Sequence, residues 1–498
     1  MGDTKQFQRR PIAEPPTGDP ESYFLIVGAG PMSEAFLRHL IQIYSSKSGI
    51  TRGVISAVVR PPRVEQWTGP IVLVMPHMYD FAAEQLRPLD HTFHFYRELG
   101  SPEQLVPRLD PHIFMCLNLE AYYVAITNEG QKVKLDHPDI QHDLNLREEQ
   151  APKTVYGAMM RFIQHHFANG SEPLTFYFTE NAQSNPRALF EQFIAAMAWN
   201  TSDLQQHFDE RVEMVPAMMD RIVPSVTAEQ NELFAELFPM PVEVKYAFGE
   251  QFGFFALPET KFAPIPWQRE LSWYIRMVPP GRMGEFQQLK RWFSILHQLS
   301  ALVAALSGHD TVDGAAKHPL MPKLSMLTHQ EMRLQWNPAD DQYVSEIDGR
   351  IAKKLGDTPY RVLRDMGSRK APILLNLIAE YHQNQQALPH SLVLVIAMWL
   401  ANLESEFLSN EKSYEALRLV GYRIKEWMPT GDAIGFTEIF ASLSNATSLA
   451  VYQQLATNEQ FMQTLAEMIP ILARPAGLSA AIDLAFENGW AHVRSTWS

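Results

Sequence analysis

The run Phe24-Leu25-Ile26-Val27 breaks directly into Gly28-Ala29-Gly30, and this junction constrains the fold more than any other stretch of the chain. Four consecutive apolar residues suit a strand buried on both faces. The segment from Pro31 to Gln42 then carries Met32, Ala35, Phe36 and Leu40 at helical spacing. A strand, a glycine turn and a helix N-terminus in that order form the phosphate cradle of dinucleotide-binding folds. Glycines let the backbone approach a pyrophosphate, and the free N–H groups at the helix start bind its charge. The third fingerprint position holds Ser33 instead of glycine. Gly28, Ala29, Gly30, Pro31 and Met32 are therefore the candidate cofactor-binding turn.

At 498 residues the chain has room for two or more domains,. A net charge of −14 argues against nucleic acid or an anionic membrane as the main partner, because both need a basic surface,. The single cysteine, Cys116, excludes an intramolecular disulfide framework,. Its apolar setting, Ile113-Phe114-Met115-Cys116-Leu117, predicts a buried, inert thiol,. The first twenty residues are polar and proline-rich and read as a flexible tail, not a signal peptide,. The most apolar window, Ser391 to Ala401, falls short of the ~20 residues of a membrane span. The expectation is a soluble, cytoplasmic protein.

Between residues 21 and 280, apolar strand-like runs alternate with helical segments, the pattern of an α/β domain with a largely parallel, doubly wound sheet. The strands expected are Phe24–Val27, Val54–Val59, Ile71–Val74, Ile113–Leu119 and Leu174–Phe178. Val242–Phe248 and Phe252–Ala256 would extend the sheet's edge. Val278-Pro279-Pro280-Gly281 marks the boundary, since its prolines disfavour helix and its glycine favours a turn,. From 281 to 498 the pattern is almost wholly helical, with segments at 285–307, 344–356, 371–385, 390–408, 412–427, 434–443, 447–455 and 458–472. An α/β nucleotide domain followed by an all-helical domain suggests an active site in the cleft between them.

The first long helix after the boundary carries Lys290, Ser294 and His297 at i, i+4 and i+7, so they share a face,. Leu289, Phe293, Leu296 and Ser300 form a neighbouring stripe. A lysine on such a face can act as a general base and a histidine can polarise a carbonyl. The same spacing also describes the solvated side of an ordinary amphipathic helix. Asn181 follows a strand candidate, where open α/β sheets bind ligands, and a turn or N-cap role explains it equally well. Asp220-Arg221 stands before an apolar run, a pattern that is most often a structural ion pair. His165-His166 sit on a predicted helix and His137 and His142 in an acidic loop, and neither pair converges like metal ligands.

In order along nearly the whole chain, these motifs resemble the mannitol dehydrogenase family of metal-independent polyol dehydrogenases, which includes the tagaturonate and fructuronate reductases and the mannitol-1-phosphate dehydrogenases. Gly28-Ala29-Gly30-Pro31-Met32-Ser33-Glu34-Ala35-Phe36 fits the family's glycine turn, and Val58-Val59-Arg60-Pro61 its second strand end. Glu120-Ala121-Tyr122-Tyr123 sits where the family has Thr-Glu-Lys-Gly-Tyr, and Thr179-Glu180-Asn181 with Asn185 resembles its strand-end asparagine motif. Met219-Asp220-Arg221-Ile222-Val223-Pro224 is similar to Val-Asp-Arg-Ile-Val-Pro, the most specific of the matches. In the helical half, Gly308-His309-Asp310-Thr311-Val312, Gly367-Ser368-Arg369-Lys370-Ala371-Pro372 and the Pro389–Leu403 stretch fall where the family has similar runs, and Arg350 precedes Lys370 at a family-like spacing.

The resemblance implies an NAD(P)-dependent oxidoreductase that interconverts a sugar alcohol, or a hexuronate-type hydroxy acid, and its keto form without a metal. It implies Lys290 as the base, with His297, Ser294 and Asn181 stabilising the alkoxide. The cofactor contacts would be Gly28, Ala29, Gly30, Pro31, Met32, Arg60, Glu120 and Asn181, and the substrate contacts Asn181, Asp220 and Arg350. The small-molecule partner would be a polyol or keto sugar. The family motif is Lys-x4-Asn-x2-His, whereas Lys290 and His297 here are seven residues apart with no asparagine between them. Lys353-Lys354 replaces the Asn-Pro that usually follows Arg350's position. These departures sustain a second reading, a dinucleotide-binding protein with a regulatory or scaffolding role. An opine-type dehydrogenase shares the two-domain plan and fits the Asp-Arg-Ile-Val-Pro run poorly. No acidic residue follows Val59 to bind an NAD ribose, and Arg60 and Arg63 suit a 2′-phosphate,. Tagaturonate reductases resemble it in having Arg-Pro there, so NAD stays slightly favoured over NADP.

Overall fold

The computed structural model describes residues 20–28, 33–48, 52–58, 69–76, 81–86, 91–94, 109–116, 127–128, 132–169, 172–179, 185–224, 226–262, 265, 271–353, 355–363, 366, 371–384, 387–402, 454–472 and 477–497. The expected tail at 1–20 (but for Pro20) and the helices expected at 412–427, 434–443 and, largely, 447–455 lie outside them. The chain divides into two compact units, Met1–Gln287 and Gln288–Ser498.

The first unit is built on a six-stranded parallel sheet. Its strands are β1 (Ser22–Val27), β2 (Arg52–Val58), β5 (His91–His94), β6 (Leu109–Met115), β9 (Leu174–Phe178) and β10 (Val212–Pro216). They lie in the order β10-β9-β6-β1-β2-β5, and every neighbouring pair is parallel. Read from the β5 edge, this is the 3-2-1-4-5-6 order of dinucleotide-binding sheets, in which the connections reverse direction between β1 and β6. Phe24–Val27 of β1 and Ile113–Met115 of β6 read as apolar runs because both faces of the sheet are covered there,. All five residues of β9, Leu-Thr-Phe-Tyr-Phe, are buried. Each large apolar side chain hidden in this way contributes about 1.5–3 kcal/mol.

A single π-turn, Ser33–Leu37, leads into helix α1 (Arg38–Ser48). Helices α2 (Pro138–Leu144), α3 (Val155–Asn169), α4 (Pro186–Ala196), α5 (Ser202–Arg211) and α6 (Ala228–Leu237) follow in the first unit. Leu25, Val27, Ile113 and Met115 share one core with α3 and α4 residues, and Phe24, Ile26 and Phe114 share another with α1. The odd and even positions of β1 thus face opposite helical layers, as the two-residue period requires.

Several expectations need correction here. Ile71–Val74 and Val242–Phe248 do not belong to the main sheet. β3 (Ile71–Pro76) pairs in parallel with β12 (Lys245–Phe248) and antiparallel with β4 (Phe81–Leu86). Likewise β13 (Phe254–Pro258) lies between β11 (Met218–Asp220) and β14 (Ile275–Val278) in a second three-stranded sheet. Apolar runs specify burial, not which sheet a strand joins. The short β7 (Thr127–Asn128) and β8 (Lys132–Val133) form a separate antiparallel pair. His137 and His142 are not in a loop: His137 N-caps α2 and His142 lies within it. Cys116 is partly, not fully, buried, packed beside the α1-side core.

The second unit is helical among its described residues. α7 (Met283–Ser307) runs into it from the first and ends at Gly308, whose φ of +69° suits a glycine C-cap,. α8 (Val312–Ala315), α9 (Met321–Gln335), α10 (Asp341–Ile351), α11 (Pro359–Leu363), α12 (Ala371–Gln383), α13 (His390–Asn402), α14 (Glu459–Leu472) and α15 (Gly477–Trp497) complete it. α13 is almost entirely buried. Its N-terminus is held by the buried Glu331 carboxyl of α9, which accepts the His390 and Ser391 N–H groups at 2.8 Å each. Gly489 of α15 passes so close that a Cβ there would lie 2.7 Å from Glu331 Oε1. No described helix is long and apolar enough to cross a membrane.

Candidate functional site

Two groups of residues carry the candidate chemistry, one in each unit. In the first unit the carboxyl ends of β1, β6 and β9 lie side by side. The Cys116 N–H donates to Val27 O at 2.7 Å, and the Thr179 N–H donates to Met115 O at 3.1 Å. Gly28 leaves β1 with φ +96°, a conformation that a β-carbon disfavours,. It therefore ends the strand with an abrupt turn at the point where strand order reverses, the place where such sheets bind ligands. Of the other cofactor-side residues, Ala29, Gly30, Pro31, Met32, Arg60, Glu120 and Asn181 lie outside the described residues. Asn185 caps α4, its Oδ1 accepting the Ala188 N–H at 3.1 Å, with Pro186 at the first helical position,.

Asp220 and Arg221 are buried, at 3% and 2% exposed, and Arg221 lies against the π-turn and the start of α1. Arg221 donates to Ala35 O at 2.6 Å and to Phe252 O at 3.0 Å, and its Nη1 meets His39 Nδ1 at 3.1 Å. Its guanidinium also lies 4.8 Å from the Phe36 ring centre. A buried side chain thus enters the backbone ladder at Ala35, where the helix widens into the π-turn. Such insertions accompany π-turns and bends. His39 Nε2 meets the Glu84 carboxylate at 2.5 Å. Since a guanidinium can only donate, Nδ1 is the acceptor and Nε2 carries the proton. Burial, reinforced by the positive charge of Arg221, holds the His39 pKa below its ordinary value although Glu84 pulls it up. Gly253 sits against this group, where a Cβ would come within 2.6 Å of Phe36.

In the second unit, α7 turns the expected stripe of Leu289, Phe293, Leu296 and Ser300 into the core, each at most 6% exposed. Lys290, Ser294 and His297 are half-buried along the adjoining face. Arg350 of α10, 0% exposed, stacks its guanidinium 4.2 Å from the Phe293 ring centre and 5.5 Å from that of Tyr343. The His297 ring packs on Phe293 at 5.4 Å between centres. Its Nε2 lies 3.3 Å from Asp357 Oδ2, and Arg361 grips the same carboxylate with two nitrogens. Burial drives the Asp357 pKa up, but the bonds from His297 and Arg361 outweigh it and hold the group below the usual carboxylate range.

The structure therefore brings Lys290, Ser294, His297 and Arg350 into one neighbourhood and adds Asp357. Sequence reasoning missed Asp357. Its only local signal is an Asp-x3-Arg spacing that suits an i, i+4 pair, and nothing in the sequence links it to a histidine 60 residues earlier,.

No family model matches the chain. A mannitol 2-dehydrogenase of Aspergillus oryzae is 29% identical over 134 residues, 26% of this chain and 26% of that relative. A D-mannonate oxidoreductase of Escherichia coli is 24% identical over 289 residues, 56% of this chain and 57% of that relative. The chain thus spans about a quarter of the fungal relative and just over half of the bacterial one in these matches. Among solved structures, Pseudomonas fluorescens mannitol 2-dehydrogenase in a ternary complex with NAD and D-mannitol superposes with a TM-score of 0.70. That match covers 93% of this chain and 96% of that one at 15% identity, and so shows a shared fold. Together these matches show that the chain shares the fold of mannitol and sorbitol dehydrogenases and is similar, over part of its length, to mannitol 2-dehydrogenases and a D-mannonate oxidoreductase. A Rossmann-like N-terminal unit followed by a helical one is the architecture of that fold.

Proposed function

We propose that this chain is an NAD(P)-dependent, metal-independent oxidoreductase that interconverts a sugar alcohol or hexuronate-type hydroxy acid and the corresponding keto sugar. The observation that carries this reading is Gly28 in a positive-φ turn at the reversal point of a 3-2-1-4-5-6 sheet. The backbone there suits a pyrophosphate, and the flanking residues Ala29–Met32, Arg60, Glu120 and Asn181 would complete the hold. A nicotinamide dinucleotide, when bound, supplies the hydride acceptor or donor.

The chain's own residues manage the proton and the oxygen. Lys290, as a neutral amine, takes the substrate hydroxyl proton during oxidation and returns it during reduction. His297, with Ser294 and Asn181, stabilises the negative oxygen, a type of contact worth about 3–4 kcal/mol when well placed. Asp220 and Arg350 are the substrate-side residues of this reading. The relatives' names favour polyols and aldonates as the first substrates to try.

Calorimetric titration with NADH and NADPH, followed by a panel of polyols, uronates and keto sugars, tests the proposal. Lys290→Ala should remove turnover while changing the cofactor Kd less than about threefold. Unchanged turnover would take Lys290 out of the mechanism. The absence of an asparagine between Lys290 and His297 favours a second reading, a dinucleotide-binding protein without dehydrogenase turnover. Tight cofactor binding with no turnover on any member of the panel would select it.

A further inference from the structure

We infer that Asp357 is a positioning residue that fixes His297 in the Nε2–H tautomer and leaves Nδ1 as the nitrogen that meets the substrate oxygen. The inference rests on the dehydrogenase reading and adds to it a residue and a direction for the imidazole.

The geometry defines the ring from two sides. Asp357 Oδ2 stands 3.3 Å from Nε2 at the ring's edge. Phe293 lies against the ring one turn earlier on α7, itself covered by the Arg350 guanidinium at 4.2 Å. Asp357 is in turn anchored at both of its ends. Its carboxylate is held by Arg361, and its main-chain oxygen accepts the Val312 N–H at 2.8 Å, where α8 begins. The residue is 4% exposed, whereas the His297 side chain keeps 12% of its surface.

Arg361 already donates to the carboxylate from two nitrogens, and an ionised carboxylate only accepts. At 3.3 Å from an ionised carboxylate a protonated Nε2 is attracted, whereas a bare lone pair there would be repelled, and this assigns the proton to Nε2,. An imidazole with one nitrogen committed to a carboxylate has its other nitrogen defined in both position and protonation. In the neutral ring Nδ1 accepts from the substrate hydroxyl and cannot hold an alkoxide, so the oxygen-stabilising role proposed for His297 belongs to the protonated ring, whose Nδ1–H donates to the alkoxide while Asp357 supports the positive charge. Among the described residues, Asp357, Arg361 beyond it and Arg350 behind Phe293 are charged groups near the ring, and Lys290 lies two turns earlier on α7. A carboxylate that holds a catalytic imidazole in the right tautomer is worth up to about 10⁴-fold in turnover.

Selective ¹⁵N-histidine labelling of the full chain and long-range ¹H–¹⁵N correlation at pH 8 read the tautomer directly, with His297→Gln assigning the signal. The expected wild-type pattern is Nε2–H. Asp357→Asn should shift His297 toward Nδ1–H or a mixture and lower kcat about 100-fold, with the NADH Kd changed less than threefold. Asp357→Glu should restore the pattern and part of the turnover. A wild-type Nδ1–H pattern, or an Asp357→Asn spectrum identical to wild type in a chain that turns over, overturns the positioning role and leaves the dehydrogenase reading standing. An Nε2–H ring in a wild-type chain that binds NADH yet turns over nothing removes the catalytic role of the pair together with that reading. The wild-type spectrum decides the tautomer even if Asp357→Asn does not fold.

Discussion

Each unit holds a histidine joined to a carboxylate and an arginine, and the two rings are engaged differently. In the first, His39 is 0% exposed with Arg221 at Nδ1 and Glu84 at Nε2, so both ring nitrogens are engaged. In the second, His297 meets Asp357 through Nε2, the arginine lies beyond the carboxylate, and the ring keeps some exposed surface. A ring with both nitrogens satisfied inside the protein transmits order. It ties the π-turn after Gly28 to β4 through Arg221 and cannot act on a ligand. A ring held at one nitrogen is oriented and still has chemistry to offer. On the proposed function, the number of ring nitrogens engaged, not the presence of a carboxylate contact, is what sets His297 apart from His39.

The largest effect that can break this contrast is on turnover. His297→Asn should lower kcat by about 10²–10⁴-fold, the usual range for a lost acid–base or oxyanion partner, with little change in the urea midpoint. Steady-state kinetics beside equilibrium unfolding measure both. If His39→Gln, compared at equal folded fraction, costs as much turnover, the distinction fails.

Next comes stability. Arg221→Met should destabilise the first unit by about 3–5 kcal/mol, because it leaves the buried Ala35 carbonyl and the partly buried Phe252 carbonyl without their donor and Glu84 without a nearby positive charge,. Guanidinium or urea unfolding of the full chain would register it. A loss below about 1 kcal/mol would mean that this network is loosely held.

The smallest effect concerns pH. Burial keeps His39 below its ordinary value, so as pH falls through the ordinary histidine range the unfolded ring takes up a proton before the folded ring does. Stability therefore falls as pH drops below about 6.5, the unperturbed histidine value. His166, pushed down to about 4 by burial, and His207 contribute in the same direction. Glu84, despite its burial, is held below its ordinary value by His39 and Arg221, so its stabilising contribution is intact above the ordinary carboxylate range and is lost only as pH falls below it,. His39→Gln should reduce the slope of urea midpoint against pH between 7 and 5 without abolishing it. A slope equal to that of wild type would show that His39 takes a proton within the fold.

The parts that were legible in the sequence share a physical cause. β1, β2 and β9 stood out because strands buried on both faces are written as continuous apolar runs. The first long helix, α7, stood out because one face alternates with the rest at a period of 3.6. β5 (His-Thr-Phe-His), β10 (Val-Glu-Met-Val-Pro) and β4 (Phe-Ala-Ala-Glu-Gln-Leu) carry polar residues and escaped notice. The small sheets escaped because pairing partners such as β3 and β12 are far apart in the chain. The candidate site was half legible for the same reason. Lys290, Ser294 and His297 lie within seven residues, so spacing alone aligned them. Asp357, and the reach of Arg221 to Ala35 across 186 residues, depend on tertiary placement that no local pattern encodes.

The pairing of β3 with β12 bears on how the chain acquires its shape during synthesis. β3 and β4 are near neighbours in sequence and can close into a hairpin as soon as both have left the ribosome. The other edge of β3 waits for Lys245–Phe248, which arrives much later. Until then the Ile-Val-Leu-Val-Met segment presents open backbone donors and acceptors flanked by apolar side chains, the features that recruit a foreign strand. The late arrival of β12 makes this small sheet a slow, long-range step in assembly. It also makes the nascent chain most prone to mispairing in the interval between those two strands.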